Sequence, residues 1–458
     1  MDALALARLQ FAVTTIYHFL FVPLTIGLAL TVAIMETIYV RTKNPAFKEM
    51  AQYWGRLFLI NFAVGVVTGI IQEFQFGMNW SSYSRFVGDV FGAPLAIEAL
   101  LAFFLESTFI GVWIFGWDRL RPAAHVLAMW LVAIGTSVSA LWILTANSFM
   151  QEPVGYAIVH GRAEMTNFLA LIGNAQLWVE FPHVLLASFT TAAFFVAGVS
   201  AWFLLRKRNV PMFRSSIKIA LTIGVVSSIL LAVNGDAQGK HVVQAQPMKM
   251  AAAEAVWNTE NGAAPWAVIA GIDQSQGKNS FAIEIPGVLG FLSGTNHFQG
   301  IHQLQQQDVA KYGPGNYVPP VALTFYSFRI MVLAGGLMIL LALYGIYLLA
   351  RRRAIEERRR YLRLLLWAIA LPYIANTFGW IMTEIGRQPW VVYGLQKTLA
   401  GVSNTVSAGE VLTTLIGFTL IFGLIAVAEV YLMVRYAKAG PEAHEPSPEL
   451  PARAAAIL

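Results

Sequence analysis

The chain has 458 residues, 57% of them hydrophobic and 12% charged, with a formal net charge of +6 and a mean hydropathy of +0.60. Soluble domains carry about 25% charged residues, so this composition excludes a soluble protein with a large core and describes one that crosses a membrane many times. There is no cysteine, which removes disulfides, iron–sulfur clusters and thiolate sites and leaves His, Met, Asp and Glu as metal ligands. The basic residues lie beside apolar runs and suit anionic lipid headgroups, not nucleic acid.

Nine apolar segments reach the roughly 20 residues that a span requires. They lie near 10–40, 53–77, 93–117, 124–147, 177–205, 215–235, 321–350, 361–384 and 410–436. The first is too long for a cleaved signal, Asp2 precedes any basic residue and no small-residue cleavage site follows, so it reads as a membrane helix. Basic residues gather in alternate connections: Arg41, Lys43 and Lys48; Arg119 and Arg121; Arg206, Lys207, Arg208 and Arg214; seven arginines between Arg351 and Arg363; then Arg435 and Lys438. The intervening connections are sparse, with Arg85, Arg162, Arg387 and Lys397. The positive-inside rule then puts the N-terminus outside and the C-terminus in the cytoplasm. The expected fold is an all-α polytopic membrane protein with nine transmembrane helices. Helices one to six fall in residues 1–235, an external loop in 236–320, helices seven to nine in 321–438 and a disordered cytoplasmic tail in 439–458. Within the loop, "QPMKMAAAEAVWNTE" predicts a short helix.

Charges at membrane depth are costly and usually functional. The candidates are His18, Glu73, Glu98, Glu106, His183, Arg329, Glu384 and Glu429. At about 1.5 Å per residue, His18, Glu98, His183, Met331 and Glu384, from five different segments, fall within roughly 15 Å of the outer boundary. Glu106 lies about 12 Å deeper than Glu98 on the same segment. Taken singly, each has a plain reading. Either histidine is as readily an interhelical hydrogen bond, Met331 packs, Glu384 faces water with Arg387 beside it, and Glu106 pairs with a neighbouring helix. Two histidines, three carboxylates and an arginine at a common depth are harder to explain that way. Haem iron takes His, Met or an oxygen ligand, and an arginine suits haem propionates. A haem-free secondary transporter uses midplane carboxylates too, but the middles of segments one and five are expected to run unbroken. A haem b electron-transfer anchor is the other alternative; it would offer paired histidines instead of this mixed set.

The stretches "RLQFAVTTIYHFLFVPLTIGLA", "NFAVGVVTGIIQEFQFGMNW", "FGAPLAIEALLAFFLESTFIG", "FRIMV" and "GWIMTEIGRQPW" together resemble subunit I of cytochrome bd-type quinol oxidases, from about residue 8 to 440. The resemblance implies a bacterial plasma-membrane enzyme that couples oxidation of membrane quinol to reduction of O2 to water, with a low-spin haem b, a high-spin haem b and a haem d (or a third haem b). It implies His183 and Met331 as axial ligands of the low-spin haem. His18 and Glu384 would each hold one of the high-spin haems, with the order between them open. Glu98 would lie in the same di-haem region, Arg329 and Arg387 would stabilise haem charge, and Trp380 would pack there. Lys249 and Glu254, in "MKMAAAE", match loop positions associated with quinol oxidation. The run "GTNHFQGIHQLQQQDVAKYGPGNYVPP" leads quickly to segment seven and resembles the short-loop branch of the family; His297 and His302 within it read as exposed. Subunit II is an implied partner, with small single-helix accessory chains as a further expectation. Protons for O2 reduction are expected from the cytoplasm, with Glu106 as relay beside Ser107 and Thr108, so that the reaction builds a proton motive force by charge separation without pumping.

Overall fold

The computed structural model describes residues 2–262 and 264–441; the expected tail beyond 441 lies outside the described residues. Helix α1 (Ala3–Thr42) opens under the Asp2 carboxylate, which accepts the Ala5 N–H at 2.8 Å, and ends where Lys43 turns left-handed. Such side-chain caps satisfy N–H groups that the first helical turn leaves free. α2 (Pro45–Met78) follows, with Asn44 as its cap. α3 (Ser81–Ile97) runs into a π-helical turn (Glu98–Phe103) and on into α4 (Phe104–Gly116), while α5 (Pro122–Gln151) returns. A small hairpin, β1 (Tyr156–Val159) with β2 (Arg162–Met165), and the short α6 (Phe168–Ile172) lead to α7 (Ala175–Leu205) and α8 (Val210–Ala245).

The long connection is folded. It holds α9 (Pro247–Glu254), β3 (Glu260–Asn261), the paired β4 (Trp266–Asp273) and β5 (Lys278–Ile285), α10 (Val288–Ser293), β6 (His297–Phe298) against β3, and α11 (Ile301–Tyr312). Its own apolar core joins α9 and the sheet residues Ala267 and Ala270 to Phe325 of the next helix. α12 (Val321–Ala350), α13 (Arg359–Ala368) and α14 (Ala370–Gly386) come next. The short pair β7 (Trp390–Val392) and β8 (Gln396–Lys397), then α15 (Thr398–Gly401), precede α16 (Ala408–Ala439), which starts with a Ser407–Glu410 capping box.

Among the described residues nine helical runs are long and apolar enough to cross a membrane, with α3, the π turn and α4 forming one of them and α13 with α14 another. α1 and α7 are the most enclosed and α16 the least. The two central helices touch closely: a Cβ on Gly27 of α1 would stand 2.2 Å from the Ser188 carbonyl oxygen of α7. Both stay continuous through Pro23 and Pro182.

At the end of α1 where Thr42 lies, a buried polar triad ties three helices. The His125 Nδ1 of α5 sits 2.5 Å from a Glu36 oxygen, its Nε2 2.8 Å from the Trp113 carbonyl, and the Trp113 indole donates to Glu36 at 2.7 Å. Every polar atom of the Glu36 and His125 side chains has a partner, as deep burial requires.

Candidate functional site

Near the opposite end of the bundle the helices surround a cavity of about 880 Å³. His18 of α1, Glu98 of the π turn, Glu106 of α4, and Trp380, Glu384 and Arg387 at the end of α14 all line it, as does the more exposed Glu73 of α2. Six of the expected site residues therefore share one chamber. His183, Met331, Arg329, Lys249 and Glu254 do not line it.

The tautomer of His18 follows from its neighbour. Thr68 Oγ1 lies 3.0 Å from the Val64 carbonyl and 2.9 Å from that of Gly65, so its one proton is directed to the helix backbone. The hydroxyl oxygen is left to accept from His18 Nδ1, 2.9 Å away. That fixes the proton on Nδ1 and frees the Nε2 lone pair, as in a metal-ligating imidazole. Gly69 makes room, since a Cβ there would stand 3.1 Å from His18 Cε1.

Glu98 begins the π turn, a distortion often found at functional sites. Ser139 donates to its Oε1 at 2.7 Å, and its buried Oε2 has no partner. Glu106 packs against Gly135 of α5, where a Cβ would come within 2.9 Å of its Cγ. Glu384 carries Arg387 on one oxygen and the amides of Asn147 and Gln151 on the other, at 3.4 and 3.2 Å. Two further nitrogens of the buried Arg387, Nε and Nη1, bond to nothing. A buried guanidinium with free donors is set for an anion beyond the protein's own groups. Trp380 meets Phe19 edge-on at 5.2 Å.

His183 is half-buried with Asn234 of α8 beside its ring, and Gly235 of the same helix lies against it: a Cβ there would be 3.6 Å from Cε1. The Met331 sulfur similarly meets Gly379 of α14, at 3.1 Å from where a Cβ would stand. Arg329 is engaged by the long connection. Its Nη2 donates to Glu254 at 2.6 Å and to the Ala267 carbonyl at 2.7 Å, its Nε to Ala267 at 2.9 Å, and Trp266 and Phe325 flank it. Lys249 and Glu254 are both buried. Burial pushes the Lys249 ammonium down to about 7, Arg387 adding to the effect and Glu384 and Glu180 opposing it. Burial likewise raises the Glu254 carboxyl, against the pull of Arg329. His297 and His302 are exposed. Among the described residues no three His, Asp or Glu side chains form a metal cluster; the donors come singly from separate helices.

Sequence reasoning missed Thr68, Gln151 and Glu180. Glu180 stood in plain view, one turn before His183 in "EFPH". It is buried and held by Gln176 Nε2 at 3.3 Å. The other two are uncharged, and only their contacts mark them.

Residues 6–441 match the family described as cytochrome bd terminal oxidase subunit I. The chain is 54% identical over 445 residues to the cytochrome bd ubiquinol oxidase subunit 1 of Bacillus subtilis (strain 168), covering 96% of this chain and 95% of that one. It is 41% identical over 503 aligned residues to the cytochrome bd-II ubiquinol oxidase subunit 1 of Escherichia coli (strain K12), covering 96% and 98%. Its fold is similar to a chain of the bd oxidase from Geobacillus thermodenitrificans, with a TM-score of 0.87, 28% identity and coverage of 96% and 99%.

Proposed function

Because the chain belongs to the cytochrome bd terminal oxidase subunit I family, we propose that it oxidises membrane quinol and passes the electrons to O2, forming water, as the haem-bearing subunit of a respiratory oxidase in the bacterial cytoplasmic membrane. The observation that carries this reading is the single chamber that gathers a histidine with a free Nε2, four carboxylates and an arginine with two idle donors. Its volume falls in the range of about 300–1,000 Å³ usual for small-molecule and cofactor sites.

The family implies haem, and the residues fit it. His18 and Glu384 would hold the two high-spin groups, haem b and haem d (or a third haem b), with Arg387 on a propionate. His183 and Met331 would hold a low-spin haem b; the glycines beside both side chains support this. Haem, when bound, supplies one-electron storage and an open iron position for O2.

The protein's own groups do the rest. Thr68 holds the His18 ring in its ligating tautomer. Glu106 and Glu98 line the chamber from one helical run and would carry protons toward it, with Ser107 and Thr108 beside the first of them. Lys249 and Glu254 would meet the quinol headgroup from the long connection, and Arg329 would anchor that connection through Glu254. The basic connections between α1 and α2, α4 and α5, α7 and α8, and α12 and α13 support a cytoplasmic placement for that end of the bundle, with the long connection outside. Quinol protons would then leave on one side and oxygen protons enter from the other, building a proton motive force without pumping. The relatives are named as subunit 1 of their oxidases, so subunit II is the expected partner, with small single-helix accessory chains besides.

A reduced-minus-oxidised absorption spectrum, with and without CO, tests the reading. Low-spin b bands together with a CO-sensitive high-spin signal are expected, and a red chlorin band reports haem d. A spectrum with only low-spin b would leave an electron-transfer anchor, and a spectrum with no haem would leave a transporter.

A further inference from the structure

Helix α9 and the carboxylate end of α14 meet through one amide. Gln151, the last residue of α5, is fully enclosed. Its Oε1 accepts from Lys249 Nζ at 2.6 Å and from Gln246 Nε2 at 2.9 Å, and its main-chain oxygen accepts from the same Gln246 nitrogen at 2.7 Å. Its Nε2 donates to Glu384 Oε1 at 3.2 Å and to Asn147 Oδ1 at 3.3 Å. An amide offers an acceptor to a cation and a donor to an anion at once. It cannot be turned over here, because its NH2 would then face the Lys249 ammonium and its oxygen the Glu384 carboxylate. Asn147 also donates to Glu384, at 3.4 Å, but no bond joins it to Lys249. Arg387 on the other Glu384 oxygen and Glu180 on α7 complete a set of two cations and two carboxylates around this bridge, of which Lys249, Arg387 and Glu180 are buried and Glu384 is half-buried. Three elements, α5, α9 and α14, therefore meet at one side chain, and among the described residues that side chain alone is bonded to both Lys249 and Glu384.

We infer that Gln151 is a positioning residue that couples the quinol side of the protein, at Lys249, to the iron side, at Glu384. The inference rests on the reading of those two residues given above. Lys249 is fixed by a bond whose other end orients the Glu384 carboxylate, so a displacement of either is felt by its counterpart. Quinol arriving at Lys249 thereby bears on the geometry of a haem-ligating carboxylate without touching it.

The test is a set of variants in the purified two-subunit enzyme: Lys249→Met, Gln151→Leu and their combination, with Gln151→Glu as a variant of similar size. Two quantities are read: the high-spin haem signature of the resting oxidised enzyme by EPR and absorption, and quinol KM separately from kcat. Lys249→Met is expected to shift the high-spin signature in the native background and to add no shift on top of Gln151→Leu. Gln151→Leu is expected to raise quinol KM about tenfold, the smallest loss typical of a hydrogen bond to a charged group. Gln151→Glu keeps an acceptor for Lys249 and sets a carboxylate against Glu384, so it moves the signature further while KM stays within about twofold. Additive shifts in the double variant would overturn the coupling, as would a native signature in both Gln151→Glu and Gln151→Leu. Glu384→Ala and Lys249→Met separate the two levels. If the first keeps the high-spin signature, or the second keeps the native KM, the underlying assignment fails and not merely the bridge.

Discussion

Replacing Glu254 by alanine should loosen the long connection, and the structure gives the size of the effect. Glu254 and Arg329 form an ion pair at 2.6 Å with side-chain exposures of 4% and 10%. Removing one partner of a buried pair costs about 3–5 kcal/mol, because the other charge stays behind uncompensated. Arg329 keeps its bonds to the Ala267 carbonyl and its aromatic neighbours Trp266 and Phe325. Cation–π contacts contribute about 0.5–2 kcal/mol, so the loss should sit near the lower bound, about 3 kcal/mol. At about 1.4 kcal/mol per decade, α9 and the β4–β5 hairpin would detach about a hundredfold more often. Hydrogen exchange of the backbone amides in 247–285 measures this directly, as faster exchange in Glu254→Ala than in the native protein. Glu254→Gln keeps an acceptor and loses only the charge, so it falls between. Adding Arg329→Met to Glu254→Ala removes the stranded charge and should recover most of the protection. If exchange rises less than about threefold in Glu254→Ala, or if the double variant is worse than the single, the ion pair does not hold the connection in place.

Four further outcomes are expected. Lys249, with its ammonium lowered to about 7, is charged below that pH and neutral above it; Arg387, Glu384 and Glu180 are the ionisable groups around it. Quinol KM should rise as the pH passes upward through about 7, and Lys249→Arg, which stays charged, should flatten the rise. Thr68→Val strips the acceptor from His18 Nδ1, leaving an unpaired buried donor at a cost of about 1–3 kcal/mol; haem per protein measured as pyridine haemochrome should fall, and native occupancy with a native spectrum would refute the tautomer argument. Glu106→Leu should keep haem content and cut turnover severely, and full turnover in that variant would remove Glu106 from the proton route. Gly27→Ala drives a methyl group into the Ser188 carbonyl; overpacking of this kind costs about 1–3 kcal/mol or more, to be seen as a lower thermal midpoint in detergent.

The membrane helices were legible because a span must be apolar for about 20 residues, whatever packs on it. The helix ends were not. α8 runs on to Ala245 through the polar "DAQGKHVVQA", ten residues past the expected segment, and α3 starts at Ser81, twelve residues before the third. Backbone hydrogen bonds continue where hydropathy stops. The short helix in "QPMKMAAAEAVWNTE" was legible as α9, whereas the β4–β5 hairpin beyond it was not read. The candidate ligands were visible as ionisable groups in apolar runs, and His18, Glu98 and Glu384 do share one chamber. Their supporting residues were not, because Thr68, Asn147 and Gln151 are ordinary polar residues until the fold brings a partner to them. The Arg329–Glu254 pair spans 75 positions of chain; a local window offers no sign of it.

The π turn at Glu98–Phe103 also sets the angular phase of the residues after it. Along an unbroken α-helix, the eight steps from Glu98 to Glu106 would turn the side chains through about 800°, leaving them about 80° apart. One residue absorbed in a π turn leaves seven effective steps, about 700°, and brings the two within about 20° of a common line. Both carboxylates then look into the same chamber, as they do. The turn is therefore a point at which the chain can lose a residue and keep its alignment. Deleting one residue between the two glutamates would restore a regular helix and leave both acids facing the cavity, whereas the same deletion one turn beyond Glu106 would rotate Trp113 away from Glu36.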